Sequence, residues 1–279
     1  MLSNTVNGPI GVFDSGFGGL TVLRELVRTL PDYDYLYLGD NARAPYGTRS
    51  FETVYRFTLE CVQYLFAQGC PLVILACNTA SAKALRTIQQ NDLPLMADPS
   101  RRVLGVIRPS AEAVRSMTST GSVGVLATPG TVKSGSYLLE IAKLYPDIRV
   151  YQEACPMWVP LIENNEFNTP GAEYFVARHV NALMAKCPEI DTVILGCTHY
   201  PVLAETIRHY LPAGVRLLEQ GRMVADSLTD YLQRHPAMDA RLTRHGQCRF
   251  LTTDSTELFN KPASLFFGGP VEAQLVSLG

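Results

Sequence analysis

The stretch LVILACNTAS, residues 72–81, decides the fold. Leu72 to Ala76 is an unbroken apolar run, the pattern of a strand buried on both faces of a parallel sheet. Cys77 follows at once. Asn78, Thr79 and Ser81 can then cap a helix whose inward positions, Ser81, Ala84, Leu85 and Ile88, fall at i, i+3, i+4 and i+7. The stretch predicts a strand-to-helix junction with a thiol at its corner. Ligands bind at that edge of an open α/β sheet. The positive end of the helix should lower the pKa of a thiol placed there.

The construction recurs in TVILGCTHYP, residues 192–201: an apolar strand, Cys197, then polar residues. Pro201 suits the first turn of a following helix, and Leu203, Ile207, Tyr210 and Leu211 give that helix an apolar stripe. A single cysteine in such a place reads equally well as a small buried hydrophobe. Two in matching places, each followed by hydroxyl or amide residues, favour chemistry.

Working outward, IGVF at 10–13 predicts a first strand ending in Asp14. DSGFGGL (14–20) follows, then a helix with Leu23, Leu26, Val27 and Leu30 on one face. A glycine-rich strand-to-helix turn invites a nucleotide-binding reading, which fits poorly. Thr21 stands where the dinucleotide pattern counted from Gly16 wants glycine, and the P-loop lysine is missing. Asp14 would also repel a phosphate. The turn reads better with Ser15 and backbone N–H groups holding a carboxylate, and Asp14 facing an ammonium group or a catalytic residue. A second strand, Tyr35 to Leu38, leads into GDNARAPYGTRS (39–50), which offers Asp40, Arg43, Tyr46 and a tight Pro45-Tyr46-Gly47 turn; a surface loop is the other reading of this segment. A helix over 50–68 puts Val54, Phe57, Cys61 and Leu65 inward, and Gly69 stops it.

After Leu93 the pattern restarts. SVGVLA at 122–127 resembles IGVF, with Gly124 where Gly11 stands, and TPGTVKSGSY replaces DSGFGGLTV. Two similar halves of alternating strands and helices are implied. Asp147 to Tyr151 predicts a further strand. In EACPMWVPLIENNEF (153–167), Glu163 lies beyond two prolines in a largely apolar loop, as a site residue or as an exposed charge. Val215 to Leu218, a helix from about Val224 to Gln233 and the strand CRFLTT (248–253) are expected to rejoin the first half's sheet. The expected division is residues 1–103 with 212–279 as a first domain, and 104–211 as a second.

Composition narrows the function. With 47% hydrophobic and 18% charged residues the chain suits a packed globular protein. A net charge of −2 without blocks of like charge gives a nucleic-acid or membrane-surface partner no support. No apolar run reaches the roughly 18 residues of a membrane span, and the start, MLSNTVNGPIG, lacks the plan of a signal peptide. Seven cysteines without CxxC pairs argue against a disulfide framework and a zinc finger, so a reducing cytoplasm is expected.

In this order and spacing, DSGFGGLTV, ARAPYG, ACNTAS, CPMWVPLIE and LGCTHYP resemble the glutamate racemases of bacterial cell-wall synthesis. The resemblance runs from about Ile10 to Gly268. It implies two pseudo-symmetric three-layer α/β/α domains with mainly parallel sheets, closing over one glutamate in the cleft between them. It implies a cofactor-independent isomerase that supplies D-glutamate for peptidoglycan, and a homodimer is expected. The family's catalytic thiols fall on Cys77 and Cys197, its assisting residues on Asp14 beside the first and on Glu163 and His199 beside the second. Its substrate contacts fall on Asp14, Ser15, Tyr46, Gly47, Asn78, Thr79, Thr198 and His199. By the same resemblance Cys77 would act on D-glutamate and Cys197 on L-glutamate. Ala44 stands where some relatives carry cysteine, and Glu219-Gln220-Gly221 departs from an Asp-Ser pair common there. Some relatives activated by a peptidoglycan precursor carry a longer N-terminal extension, so activity without that activator is expected.

The residue chemistry agrees. Inverting a Cα stereocentre needs a base on one face and an acid on the other, and two similar domains can each supply a thiol. Pyridoxal phosphate would need a Schiff-base lysine, and only Lys83 lies near the site in sequence. Cys197 with His199 could begin a metal site, but no further Cys or His joins them at ligand spacing. The competing readings are an aspartate or hydantoin racemase of the same superfamily, and a flavodoxin-like module holding a phosphate without catalysis.

Overall fold

The computed structural model describes residues 7–278. Among the described residues ten strands form two sheets: β1 (Ile10–Asp14), β2 (Tyr35–Gly39), β3 (Leu72–Leu75), β4 (Arg102–Gly105), β5 (Ser122–Ala127), β6 (Arg149–Ala154), β7 (Thr192–Gly196), β8 (Arg216–Leu218), β9 (Cys248–Thr252) and β10 (Ala273–Leu275). The first sheet runs β10-β9-β2-β1-β3-β4 and the second β6-β5-β7-β8, with every neighbouring pair parallel.

The order β2-β1-β3-β4 of the first sheet is repeated as β6-β5-β7-β8 in the second. The likeness of IGVF to SVGVLA is thus a likeness of central strands: β1 lies between β2 and β3, and β5 between β6 and β7. β3, which leads to Cys77, and β7, which leads to Cys197, are equivalent strands.

Helices cover both faces of each sheet, and the side chains say why. Along β1 to β3, Ile10, Val12, Tyr35, Tyr37, Leu72 and Ile74 enter one core with Leu23, Leu26 and Leu228. Their alternates Phe13, Leu36, Leu38, Val73 and Leu75 enter another with Val62 and Leu65. Strands buried on both faces read as continuous apolar runs because successive side chains point to opposite sides. In the second sheet Val123 and Val125 pack with Tyr137 and Ile141, and Leu126, Val193 and Leu195 with Val176, Val180 and Leu183. No helix among the described residues is long and apolar enough to cross a membrane.

Four expectations change. Val215 to Leu218 does not rejoin the first sheet: β8 pairs with β7, Thr192 opposite Arg216. β4 runs through Gly105 in the first sheet, so the divisions drawn at 103/104 and 211/212 both fall short of where the chain changes sheet. The helix after Cys77 is also not continuous. Asn78–Lys83 ends at Ala84, where φ stretches to −114°, and Leu85–Thr87 begins anew. The segment around Glu163 is not a loop either: Trp158–Glu163 is a short helix. Pro160 sits in its first turn, where a missing N–H costs nothing.

Candidate active site

Asp14, Cys77 and Cys197 stand at or just past the ends of β1, β3 and β7, on the edges where the two sheets face each other. One cavity lies between them. Its lining brings together Ser15, Tyr46, Gly47, Cys77, Asn78 and Thr79 from the first half with Glu163, Cys197, Thr198 and His199 from the second. Asp14 lies just behind it, fully buried.

The two thiols have different surroundings. Cys77 caps the Asn78–Lys83 helix, with Ala80 N–H 3.5 Å from its sulfur and Ser15 Oγ at 3.4 Å on another side. Burial, with Asp14 nearby, pushes the Cys77 thiol up to about 12. This reverses the lowered pKa expected from the helix N-terminus. Desolvation disfavours the charged form, and one N–H of a six-residue helix, even with the Ser15 hydroxyl, does not offset it. Asp14 is itself raised by burial, against the pull of the His199 charge, the Gly16 and Gly19 N–H groups and Thr198. Gly16 N–H donates to its Oδ1 at 2.9 Å and Thr198 Oγ1 to its Oδ2 at 3.3 Å, so this carboxyl is gripped from both halves.

On the other side Cys197 Sγ lies 3.9 Å from His199 Nδ1, and His199 Nε2 is 3.0 Å from Glu163 Oε1. Burial works against a charged ring, but the bonds to Cys197 and Glu163 outweigh it and hold the imidazolium well above its ordinary range. Phe266 packs edge-on against the ring, centroids 5.4 Å apart.

The glycine-rich turn has a steric role. A Cβ on Gly18 would stand 2.3 Å from Thr198 Oγ1 and 2.4 Å from His199 Nδ1, and one on Gly16 would stand 3.3 Å from Glu163 Oε1. The turn is bare because the second thiol's loop closes against it. Thr21 reinforces the closure, donating to the Thr198 carbonyl at 3.0 Å.

The 39–50 loop divides by role. Asp40, fully buried, takes Arg43 Nε at 2.7 Å, Thr253 Oγ1 at 2.9 Å and the Tyr46 hydroxyl. Asp40 and Arg43 therefore hold the loop, while Tyr46 and Gly47 line the cavity. The Tyr46 hydroxyl is committed to Asp40. Gly47 O accepts from Gly130 N–H of the second half at 2.8 Å. Thr79 Oγ1 meets Thr128 Oγ1 at 3.0 Å. Lys83 Nζ is spent on the Arg49 carbonyl at 2.6 Å.

Thr128, Thr48 and Cys155 also line the cavity and were not singled out from sequence. For Thr128 the signal was present: TPGTVKSGSY stands in the second half where DSGFGGLTV stands in the first, so both turns had to face the cleft.

A family model of Asp/Glu/Hydantoin racemases matches residues 10–228. A glutamate racemase of Levilactobacillus brevis is 41% identical over 274 residues, 98% of this chain and 96% of its own length. The crystal structure of glutamate racemase isoform RacE1 from Bacillus anthracis superposes with a TM-score of 0.88 at 34% identity, covering 98% of each chain. That of the Francisella tularensis glutamate racemase, in complex with D-glutamate, gives 0.85 at 34% identity, again over 98% of each. With two pseudo-symmetric sheets, one cleft and this likeness along nearly its whole length, the chain belongs to the Asp/Glu/Hydantoin racemase family, among the glutamate racemases, and is an isomerase that racemises an amino acid.

Proposed function

We propose that the chain interconverts L- and D-glutamate with Cys77 and Cys197 as its two acid–base groups and no cofactor, supplying D-glutamate for peptidoglycan. The observation that carries this is that equivalent strands of the two sheets each deliver one thiol to one cavity. The D-glutamate held by the Francisella relative supports the substrate. In the L-to-D direction the Cys197 sulfur takes the Cα hydrogen as a proton. The electron pair left on Cα spreads into the adjoining carboxylate, and the Cys77 S–H delivers its proton to the opposite face. One sulfur gains the proton that the other loses, so both must exchange with solvent before the next turnover in the same direction. His199, between Cys197 and Glu163, would relay the Cys197 proton toward Glu163, and Asp14 would serve Cys77 or the substrate's ammonium. Ser15, Asn78, Thr79 and Thr198, with the backbone of Tyr46 and Gly47, would hold the two carboxylates by hydrogen bonds strengthened by charge. A homodimer in the cytoplasm completes the proposal.

Heavy water tests the chemistry, because each resting thiol then carries deuterium. Starting from protonated L-glutamate, the first D-glutamate formed should carry deuterium at Cα while the remaining L-glutamate gains little. Deuterium entering both pools equally fast from the start would refute the two-thiol scheme. Aspartate turned over as fast as glutamate would refute the substrate.

A further inference from the structure

Beside Cys77 a closed ring of buried hydrogen bonds joins the two halves. Asn78 Nδ2 donates to Gln220 Oε1 at 2.7 Å, Gln220 Nε2 donates to the Tyr137 hydroxyl at 2.7 Å, and that hydroxyl donates to Asn78 Oδ1 at 2.8 Å. Gln220 Nε2 also donates to Ser110 Oγ at 2.7 Å, and Ser110 passes its own hydrogen to the Val106 carbonyl at 3.1 Å. Gln220, Tyr137 and Ser110 are buried yet lie outside the cavity lining, whereas Asn78 is part of it.

The polarity of this ring is fixed from one end. The Val106 carbonyl can only accept, and it lies 3.2 Å from Gln220 Nε2 as well as 3.1 Å from Ser110 Oγ, so a nitrogen of Gln220 must face it. The nitrogen end of the Gln220 amide therefore faces Ser110 and Tyr137, and its oxygen end faces Asn78. Asn78 must then answer with its nitrogen, and its oxygen takes the Tyr137 hydrogen. Turning any one amide over would set donor against donor and acceptor against acceptor in a buried place, which costs far more than a single lost bond. An amide nitrogen carries two hydrogens. Gln220 takes one, and among the described residues no partner takes the other.

We propose that Gln220, with Tyr137 and Ser110 behind it, is a positioning residue that locks the Asn78 carboxamide nitrogen-first, so that an N–H donor rather than a carbonyl meets the substrate carboxylate beside Cys77. The proposal rests on the racemase reading of the site and adds to it the group that sets Asn78. It also gives a role to the Glu219-Gln220-Gly221 departure. Ser110 follows the crossover after β4, and Gln220 follows the one after β8, so the lock ties both crossovers to the first thiol's loop.

A double-mutant cycle tests it, read as Kd for D-glutamate by calorimetry. Gln220→Met keeps the length and removes both polar atoms. It should weaken binding about tenfold, the scale of one hydrogen bond to a charged group, with a smaller fall in kcat. In an Asn78→Ala background the same substitution should change Kd by less than about twofold, because the residue it acts through is gone. A role in packing alone would weaken binding by the same factor in both backgrounds, and that result overturns the proposal, as does an unchanged Kd in the parent. If Gln220→Met does not fold, Tyr137→Phe, which removes one oxygen from the same ring, runs the same cycle with the same two outcomes. Racemisation by the parent, measured alongside, tests the reading of the site separately.

Discussion

The Cys77 corner and the Cys197 corner are the same piece of backbone used twice with opposite electrostatics. Both thiols end the third strand of a β2-β1-β3-β4 pattern and face one cavity. Yet the Cys77 sulfur meets a neutral hydroxyl and a backbone N–H, with the Asp14 carboxyl close by. Cys197 meets an imidazole backed by a carboxylate. Repetition of the fold supplies two equivalent thiol positions on one cavity. The short segments after the strands, NTAS in one half and THYP in the other, supply the difference between them. One pseudo-symmetric scaffold thus presents two thiols in unlike surroundings.

The strongest way to break this comparison is to remove either thiol. Cys77→Ser and Cys197→Ser should each lower racemisation by about 10³-fold, because a hydroxyl is a far weaker acid and neither corner can do the other's work. A serine variant that keeps the parent rate in a coupled D-glutamate assay would show that corner to be structural. Next comes the contact between the corners. Gly18→Ala puts a methyl 2.4 Å from His199 Nδ1 and 2.3 Å from Thr198 Oγ1, so the halves must part at the second thiol. A misplacement of this kind should cost about 10²-fold in kcat/KM, with a thermal midpoint that falls only modestly; an unchanged kcat/KM would mean the turn does not set the closure.

Glu163→Gln sharpens the comparison more gently. It replaces a carboxylate acceptor of His199 by a neutral one and removes the negative charge that helps to outweigh burial there, so the ring's pKa should fall and the imidazolium be lost at lower pH. Activity at pH 8 should drop about tenfold. Enantiomers have equal free energies, so kcat/KM must fall by the same factor in both directions. The asymmetry should show in the Cα-deuterium isotope effect, rising for L-glutamate and not for D-glutamate. An equal rise for both would detach Glu163 from the Cys197 corner. The smallest effect is a titration. A free thiol levels off in iodoacetamide reactivity above about pH 8.5. Cys77, pushed up to about 12 by burial and Asp14, should stay protonated through that range, its alkylation rate still climbing from pH 9 to 11. A plateau near pH 8.5 would contradict this environment.

Much of this was legible in the sequence because buried parallel strands announce themselves as apolar runs. LVILA and TVILG needed no context, and the cysteines at their ends came with them. What escaped depended on partners distant in the chain. Arg216–Leu218 is three residues long, and nothing in RLL says which sheet it joins; only pairing with β7 decides. β4 and β10, also short and partly exposed, gave no signal. Glu163 read as a loop residue because two prolines precede it, although one of them, Pro160, sits in the first turn of a helix. The thiol at Cys77 was misjudged in the same way: the helix that lowers its pKa is local and visible, whereas the burial that raises it comes from side chains distant in the chain, Phe13, Tyr46 and Val54 among them.

The order of the strands also has a consequence for synthesis. The chain leaves the first sheet after Gly105 and returns only after Leu218, so the second sheet is an uninterrupted insert, and β9 comes last to pair with β2 along Tyr35–Gly39. During translation the four inserted strands emerge together and can close on one another, while YLYLG waits with one bare, apolar edge for Cys248–Thr252 to leave the ribosome. Such edges are templates for association with other chains. Chains stalled before Cys248 should therefore yield a protease-resistant core from the insert and little from the segment ahead of it, a pattern that pulse proteolysis of nascent chains would read, and the last strands to be made would be the ones that end the protein's exposure to its neighbours.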